Sequence, residues 1–312
     1  IRYYAEYNNY NEGSNSQGGR IPSHAGSGGE SPYFNDLSTD NATSRGANNR
    51  FAKNKLWKVG QKDGNWNFEN IYALNYFINT VTPRFEEGKI TGNQDKVKHY
   101  IGEGYFLRGL EYFYRLKKIG DFPILTENLP DEHDVLVEAS KRRPRNEVAR
   151  FILKDLDEAI NLLTNSPDGG KVRITKNAAY LLKARVALFE ATWEKYHAGT
   201  ANVPLGPGWP GATKDYNKDY QFPSGSLDKE IEFFLDEALA ASSQVADNIK
   251  LTENNKIIRE SINDPVNPYY DMFATPEPKN YEEVLMYRAY DKDLWSHSFN
   301  HYIYHGAQKG YT

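Results

Sequence analysis

The sequence predicts a mostly α-helical protein of tetratricopeptide-like helical hairpins, with long irregular loop insertions and little β structure. Three observations carry this. Five segments place apolar residues at a period of 3.6, the first four of them form two consecutive pairs, and the stretches between are crowded with Gly, Pro, Ser and Asn.

Residues 11–50 are dominated by Gly, Ser and Asn, with too few apolar side chains to order a helix or sheet unaided, and form the first long loop. The first helix follows, with Asn65 a capping candidate and Phe68, Ile71, Tyr72, Asn75 and Ile78 at helical spacing. A second runs from near Asp95 to Ile119, where Val97, Ile101, Tyr105, Arg108 and Tyr112 share a stripe that Phe106, Leu110, Phe113 and Leu116 widen. The two should pair as an antiparallel hairpin. Gly102, Gly104 and Gly109 inside the second helix each cost roughly 1 kcal/mol relative to Ala, a cost that close approach by a neighbouring helix would offset. Gly120 falls where a left-handed residue ends a helix, and Pro123 prevents continuation.

Pro144 suits the first turn of a third helix, in which Val148, Phe151, Ile152, Leu156, Ala159, Ile160 and Leu163 make the buried stripe. Lys154, Asp157 and Glu158 face water, and Asp155 intrudes on the stripe. Thr175 can cap a fourth helix rich in small residues, Ala178, Ala179 and Ala184 among them, which allow tight helix contacts. Residues 199–226 make a second insertion loop, with Trp209 inside Pro-Gly-Trp-Pro-Gly. A fifth helix, Leu227 to Ala246, would bury Ile231, Phe234, Leu235, Ala238 and Leu239. Beyond it NPYYDMFATPEP reads as turns and YEEVLMYRAYD as a short strand.

The 312 residues carry a formal net charge of −4, with basic residues in small groups such as Lys117-Lys118 and Lys141-Arg142-Arg143, so no nucleic-acid partner is expected. The absence of cysteine removes disulfides, thiol nucleophiles and Cys-ligated metals. No run approaches the roughly 18 apolar residues of a membrane-spanning helix. Aromatic residues make up 14% of the chain, with 23 Tyr and 5 Trp, and their flat apolar faces and polar edges suit ligands such as sugars. No G-x-S-x-G, H-E-x-x-H or phosphate-cradling glycine loop occurs, and the chain is expected not to be an enzyme. The competing hydrolase reading would use paired carboxylates, Glu282-Glu283 or Asp291 with Asp293, which otherwise read as solvated surface charges.

Three blocks carry a family likeness. The first, HYIGEGYFLRGLEYFYRLKKIGDFPIL, holds Gly102, Glu103, Phe106, Leu107, Arg108, Tyr112, Phe113, Gly120, Asp121 and Pro123; the second supplies Arg145, Glu147, Val148, Ile152, Asp155, Leu156 and Ala159; the third Val172, Thr175, Lys176, Ala178, Ala179, Lys183, Ala184 and Arg185. In this order and at these intervals they resemble the SusD/RagB family of glycan-capturing outer-membrane lipoproteins. Trp66 through Asn75, and Tyr270-Asp-Met-Phe273 followed by Glu283-Val284-Leu285, extend the likeness. The resemblance implies a tetratricopeptide-like scaffold that does no chemistry. It implies a protein exposed on the outer face of the outer membrane, anchored by a lipidated Cys upstream of this chain. Such a protein acts as a lid on a SusC-like TonB-dependent barrel, to which it passes oligosaccharides. A peptide-capturing RagB-like subunit is the alternative cargo reading, and a purely structural scaffold a further one. Residues 1–312 are expected to form a single SusD-like domain, incomplete at its C terminus because the family's second half is missing past Thr312.

Binding an oligosaccharide needs exposed rings for its C–H faces and short polar side chains for its hydroxyls. Asp40, Asn41, Trp66 and Asn67 are the first candidates, because a loop bearing Asp and Asn leads into a helix start bearing Trp; Trp66 packed on the core is an equal reading. Trp209 is the second, its Pro-Gly setting arguing for exposure; its loop as a contact with the barrel is an equal reading. Trp295, beside Tyr287, Tyr290 and Asp291, is the third. His297, His301 and His305 are spaced four apart, but the alternating Phe299, Tyr302, Ile303 and Tyr304 favour extended backbone, where the three lie too far apart for one ion, and no metal site is expected. Asp36, Asp40 and Asn41 resemble a fragment of a calcium loop without its full spacing. No cofactor is expected, with calcium at that fragment the alternative.

Overall fold

The computed structural model describes residues 66–289 apart from 259 and 262. Seven α-helices follow one another there: α1 (Glu69–Glu86), α2 (Gln94–Ile119), α3 (His133–Ala139), α4 (Arg145–Leu162), α5 (Lys176–Tyr196), α6 (Leu227–Ala246) and α7 (Pro268–Ala274). Among the described residues there is no strand; Phe122 and Arg143 form an isolated antiparallel bridge. The fold is the mostly helical, hairpin-built one that the apolar periodicity predicts. Helix α1 packs on α2, α2 on α4, α4 on α5 and α5 on α6.

Local sequence sets the helix ends. Asn93 caps α2 by accepting from Lys96 N at 3.1 Å, and Thr175 caps α5 by accepting from Ala178 N at 3.2 Å. Gly120 closes α2 at φ 81°, its N–H donating to Leu116 O at 3.0 Å. At α1 the expected cap, Asn65, lies outside the described residues. The helix starts at Glu69, whose N–H donates to the Asn67 side chain at 2.7 Å.

The central helix α2 is buried on nearly every side, and its glycines explain how. A Cβ on Gly102 would meet Leu162 and Leu163 of the α4 end at 3.0 Å, and one on Gly104 would meet the Phe77 ring of α1 at 2.8 Å. These two glycines let α1 and α4 approach α2 from separate sides. Gly109 is looser, with Leu156 at 3.4 Å.

Asp155, the intruder on the α4 stripe, meets Arg108 of α2 through two hydrogen bonds of 2.7 Å, and Arg108 also donates to Asn75 of α1 at 3.0 Å. A side chain that breaks the apolar pattern thus ties three helices together. Arg145 of α4 pairs with Glu190 of α5 in the same two-pronged way at 2.8 Å, and Arg150 of α4 with Glu230 of α6 at 2.6 Å. These bonds satisfy charges that burial would otherwise penalise.

Several expectations are corrected. Tyr72 faces outward, and Leu74 takes its place inside. On α6 Leu235 and Leu239 are exposed, Leu239 at 67%, because the helix meets α5 through Phe234, Ala238, Ala241 and Val245 instead. The segment read as turns contains α7, with Pro268 at its first position and Asn267 capping Tyr269 N at 3.1 Å. The expected strand after it is not formed among the described residues; that segment is held by Tyr287 N donating to Lys171 O at 2.9 Å and by Thr175 Oγ1 donating to Leu285 O at 3.2 Å.

Candidate functional site

A cleft of about 620 Å³ opens where the C-terminal end of α2, the start of α4, the end of α5 and the 199–217 segment converge. Its volume lies within the usual range for small-ligand sites. The Trp66 segment lines it as well, and these lengths of chain are fixed by identifiable contacts.

At the α2 end, the turn at Gly120 aims Asp121 inward. Its Oδ1 accepts from the backbone N–H of Arg145 at 2.9 Å and its Oδ2 from the indole Nε1–H of Trp209 at 2.8 Å. Burial pushes the Asp121 carboxyl up from its ordinary range, while these bonds and the nearby guanidinium of Arg145 oppose the rise. Phe122 then bridges to Arg143, its N–H donating to Arg143 O at 3.1 Å, which brings Arg142 to the cleft.

The 199–217 segment folds back onto this turn through Trp209. The ring is only 3% exposed, so the exposure expected from its Pro-Gly setting is corrected: the following 3-10 turn (Pro210–Thr213) wraps the indole against the body. Position 211 must be glycine, since a Cβ there would meet the Trp209 ring at 2.1 Å. Asn217 completes the lobe, its side-chain amide donating to Gly211 O at 3.2 Å.

The rings that face the cleft are others. Trp66 is 45% exposed, supported edge-on by Phe68 and Phe122 at ring separations of 5.4 and 5.3 Å. Trp193, near the end of α5, is half-buried and stacked on His197 at 4.1 Å, and its Nε1–H donates to Asn202 O at 3.1 Å. Tyr216 is exposed on the returning lobe. A guanidinium lies over each indole, Arg142 over Trp66 at 4.9 Å and Arg145 over Trp193 at 4.2 Å.

The structure therefore brings Trp66 and Trp209 into one cleft, in different roles: Trp66 at the surface, Trp209 as the buried post that seats the loop. Asn67 does not line it. Its side chain starts α1, and its carbonyl accepts from Arg115 at 2.8 Å, so both polar ends serve the fold. Asp40, Asn41 and Trp295 lie outside the described residues, as do Asp36, Asp291, Asp293 and the three histidines His297, His301 and His305. Glu283 accepts from Thr252 N at 3.2 Å, and Glu282 lines a separate hollow with Lys171. Among the described residues no group of three or more His, Cys, Asp or Glu side chains could hold a metal ion, and no helix is long and apolar enough to cross a membrane.

Sequence reasoning missed Trp193, Tyr216, Arg142 and Lys214. Trp193 carried a usable signal, a large ring in the last turn of a helix that runs straight into the Gly/Pro-rich insertion.

A family model described as starch-binding and associating with the outer membrane, SusD-like, matches residues 19–188 of the 312. The chain belongs to the SusD-like family. No curated protein matches it. Solved structures with similarity include a SusD-like protein from Bacteroides fragilis, 31% identical over 40% of this chain and 24% of that one with a TM-score of 0.32. A laminarin-binding SusD-like protein is 20% identical over 42% of this chain and 27% of its own, TM-score 0.33. A second B. fragilis protein, of the SusD superfamily, is 19% identical over 74% of this chain and 37% of its own, TM-score 0.42. The SusD-like chain thus spans at most 37% of the length of these three structures.

Proposed function

We propose that this SusD-like chain captures oligosaccharides in the cleft between the α2 end and the 199–217 lobe, from a lipid-anchored position on the cell surface, and passes them to a SusC-like TonB-dependent barrel without breaking any bond in them. The observation that carries the reading is the convergence of Trp66 and Tyr216 with the short polar side chains of Ser140 and Asn202 on one open cleft. Rings accept the C–H faces of a sugar, and short polar groups exchange hydrogen bonds with its hydroxyls at about 1 kcal/mol each. Trp66 suits the ring-stacking role best, because its Phe68 and Phe122 supports hold the indole still before any ligand arrives. The family's description, starch-binding and associated with the outer membrane, supports both the ligand class and the location.

Isothermal titration against a panel of plant, host and microbial oligosaccharides tests the capture. Trp66→Ala should weaken the bound glycan by about tenfold, the loss of one aromatic stacking contact with its burial. Unchanged affinity in Trp66→Ala and in Tyr216→Ala would remove the cleft as the site. Co-purification from detergent-solubilised outer membranes tests the barrel, whose absence from the complex would overturn the delivery step.

A further inference from the structure

We infer that the cleft takes an acidic oligosaccharide, one bearing carboxylate or sulfate groups; this rests on the reading of the cleft as a glycan site and names the chemistry of its ligand. The chain as a whole carries −4, yet among the described residues lining the cleft the cationic side chains Lys117, Lys118, Arg142, Arg145 and Lys214 stand with one carboxylate, that of Asp121. Asp121 is engaged elsewhere, with its two oxygens held by Trp209 and by the Arg145 backbone at 2.8 and 2.9 Å.

Three of the cations have a place in the fold. Lys117 and Lys118 occupy the last turn of α2, where positive charge complements the carbonyl end of a helix, and Arg145 is doubly hydrogen-bonded to Glu190. Arg142 has only the Trp66 ring and the more distant Asp121 charge beside it, and Lys214 has no such explanation. Both are exposed, and among the described residues neither forms an ion pair. The adjoining hollow around Arg143 and Lys218 differs, since Glu147, Asp215 and Asp219 line it too and Arg143 pairs with Glu147 at 2.6 Å.

Arg142 is also placed for recognition. Its guanidinium lies over the Trp66 ring at 4.9 Å. A guanidinium held over an indole still has N–H donors to offer, in the fork that matches a carboxylate or a sulfate. Like charges gathered on the walls of one cleft repel each other and concentrate the field within it, and an anionic occupant relieves that repulsion. A neutral sugar needs rings and short hydrogen-bonding groups, which leaves the excess charge without a purpose.

Titrating the full chain with an oligogalacturonate, a sulfated galactan oligosaccharide and a malto-oligosaccharide of equal length, at low and at physiological salt, tests this. One of the acidic ligands should bind at least tenfold more tightly than the neutral one, with the preference shrinking as salt rises; which of the two binds separates carboxylate from sulfate recognition. The variant carrying Arg142→Gln and Lys214→Gln should lose about tenfold for the acidic ligand and less than about twofold for the neutral one, with its helical circular dichroism unchanged. A preference for the neutral ligand that the double substitution does not move overturns this inference and leaves the glycan reading standing. No binding by any of the three, or by the wider glycan panel, removes the glycan reading and this inference with it.

Discussion

Glu194 of α5 is the sharpest test of the electrostatics of this fold. Its side chain is 0% exposed, and neither carboxyl oxygen has a hydrogen-bond partner among the described residues. Burial pushes its pKa from the ordinary 4.5 up to about 9; the charges of Glu190 and Glu230 add to the rise, and Arg145 and Arg150 oppose it. Between those two values the native protein holds a proton that the unfolded chain has released, so stability must fall as pH rises, by about 1.4 kcal/mol per pH unit. Below the lower value both states are protonated and the slope vanishes; above the upper one both are ionised, and it vanishes again. Across the whole window the loss is on the order of 6 kcal/mol, a large share of the 5–15 kcal/mol that about covers a typical domain. Glu194→Gln keeps the shape and removes the titration. Urea unfolding of both proteins, followed by helical circular dichroism from about pH 5 to pH 9, should give nearly equal stabilities at the acid end and a variant more stable by several kcal/mol near pH 8. Parallel profiles, or a variant that is weaker at the alkaline end, would show that Glu194 is ionised in the native state and would refute the reasoning.

Two further predictions concern the contacts of α2. Gly104→Ala should destabilise by about 1–3 kcal/mol despite the better helix propensity of Ala, because the new methyl would lie 2.8 Å from the Phe77 ring, whereas Gly109→Ala, with Leu156 at 3.4 Å, should be neutral or stabilising by up to about 1 kcal/mol; chemical denaturation of the pair decides it, and equal effects would contradict the packing difference. Asp155→Ala leaves the Arg108 charge buried without its two bonds of 2.7 Å and should cost about 3–5 kcal/mol, read as a lowered thermal midpoint; a cost below about 1 kcal/mol would mean that water reaches Arg108.

The helices were legible because their signals are local. The period of α4, the Thr175 cap and the Gly120 stop each involve residues within a turn or two of one another, and the structure places all three as expected. The misjudged positions depend on partners distant in sequence. Leu235 and Leu239 sit on α6 at a helical spacing as good as that of Phe234 and Ala238, and only the position of α5 decides which row is covered. Asp155 reads as an intruder until Arg108 is found opposite it, 47 residues earlier in the chain. Helix α7 begins with a proline and is seven residues long, so it lacks the length from which a period can be read.

The cleft was harder to read than the fold for a related reason. Trp66 was identifiable as a ring at a helix start and Trp209 as a ring between Pro and Gly, yet the two came out opposite to what those settings suggest. Trp209 has a polar edge that finds Asp121, and a glycine two positions on that lets the chain close over the ring; Trp66 has Phe68 and Phe122 against its edge and keeps 45% of its surface open. An indole is buried when a carboxylate or carbonyl waits for its N–H and the backbone around it can turn tightly enough, and the first of those conditions is set 88 residues away. That dependence also makes the two tryptophans one device. Seating Trp209 on Asp121 holds the 199–217 lobe over the α2 end, and only with the lobe in place do Tyr216 and Lys214 stand in the same cleft as Trp66 and Arg142. Which rings and charges line the open part of the cleft is therefore set by a side chain that is itself almost wholly buried.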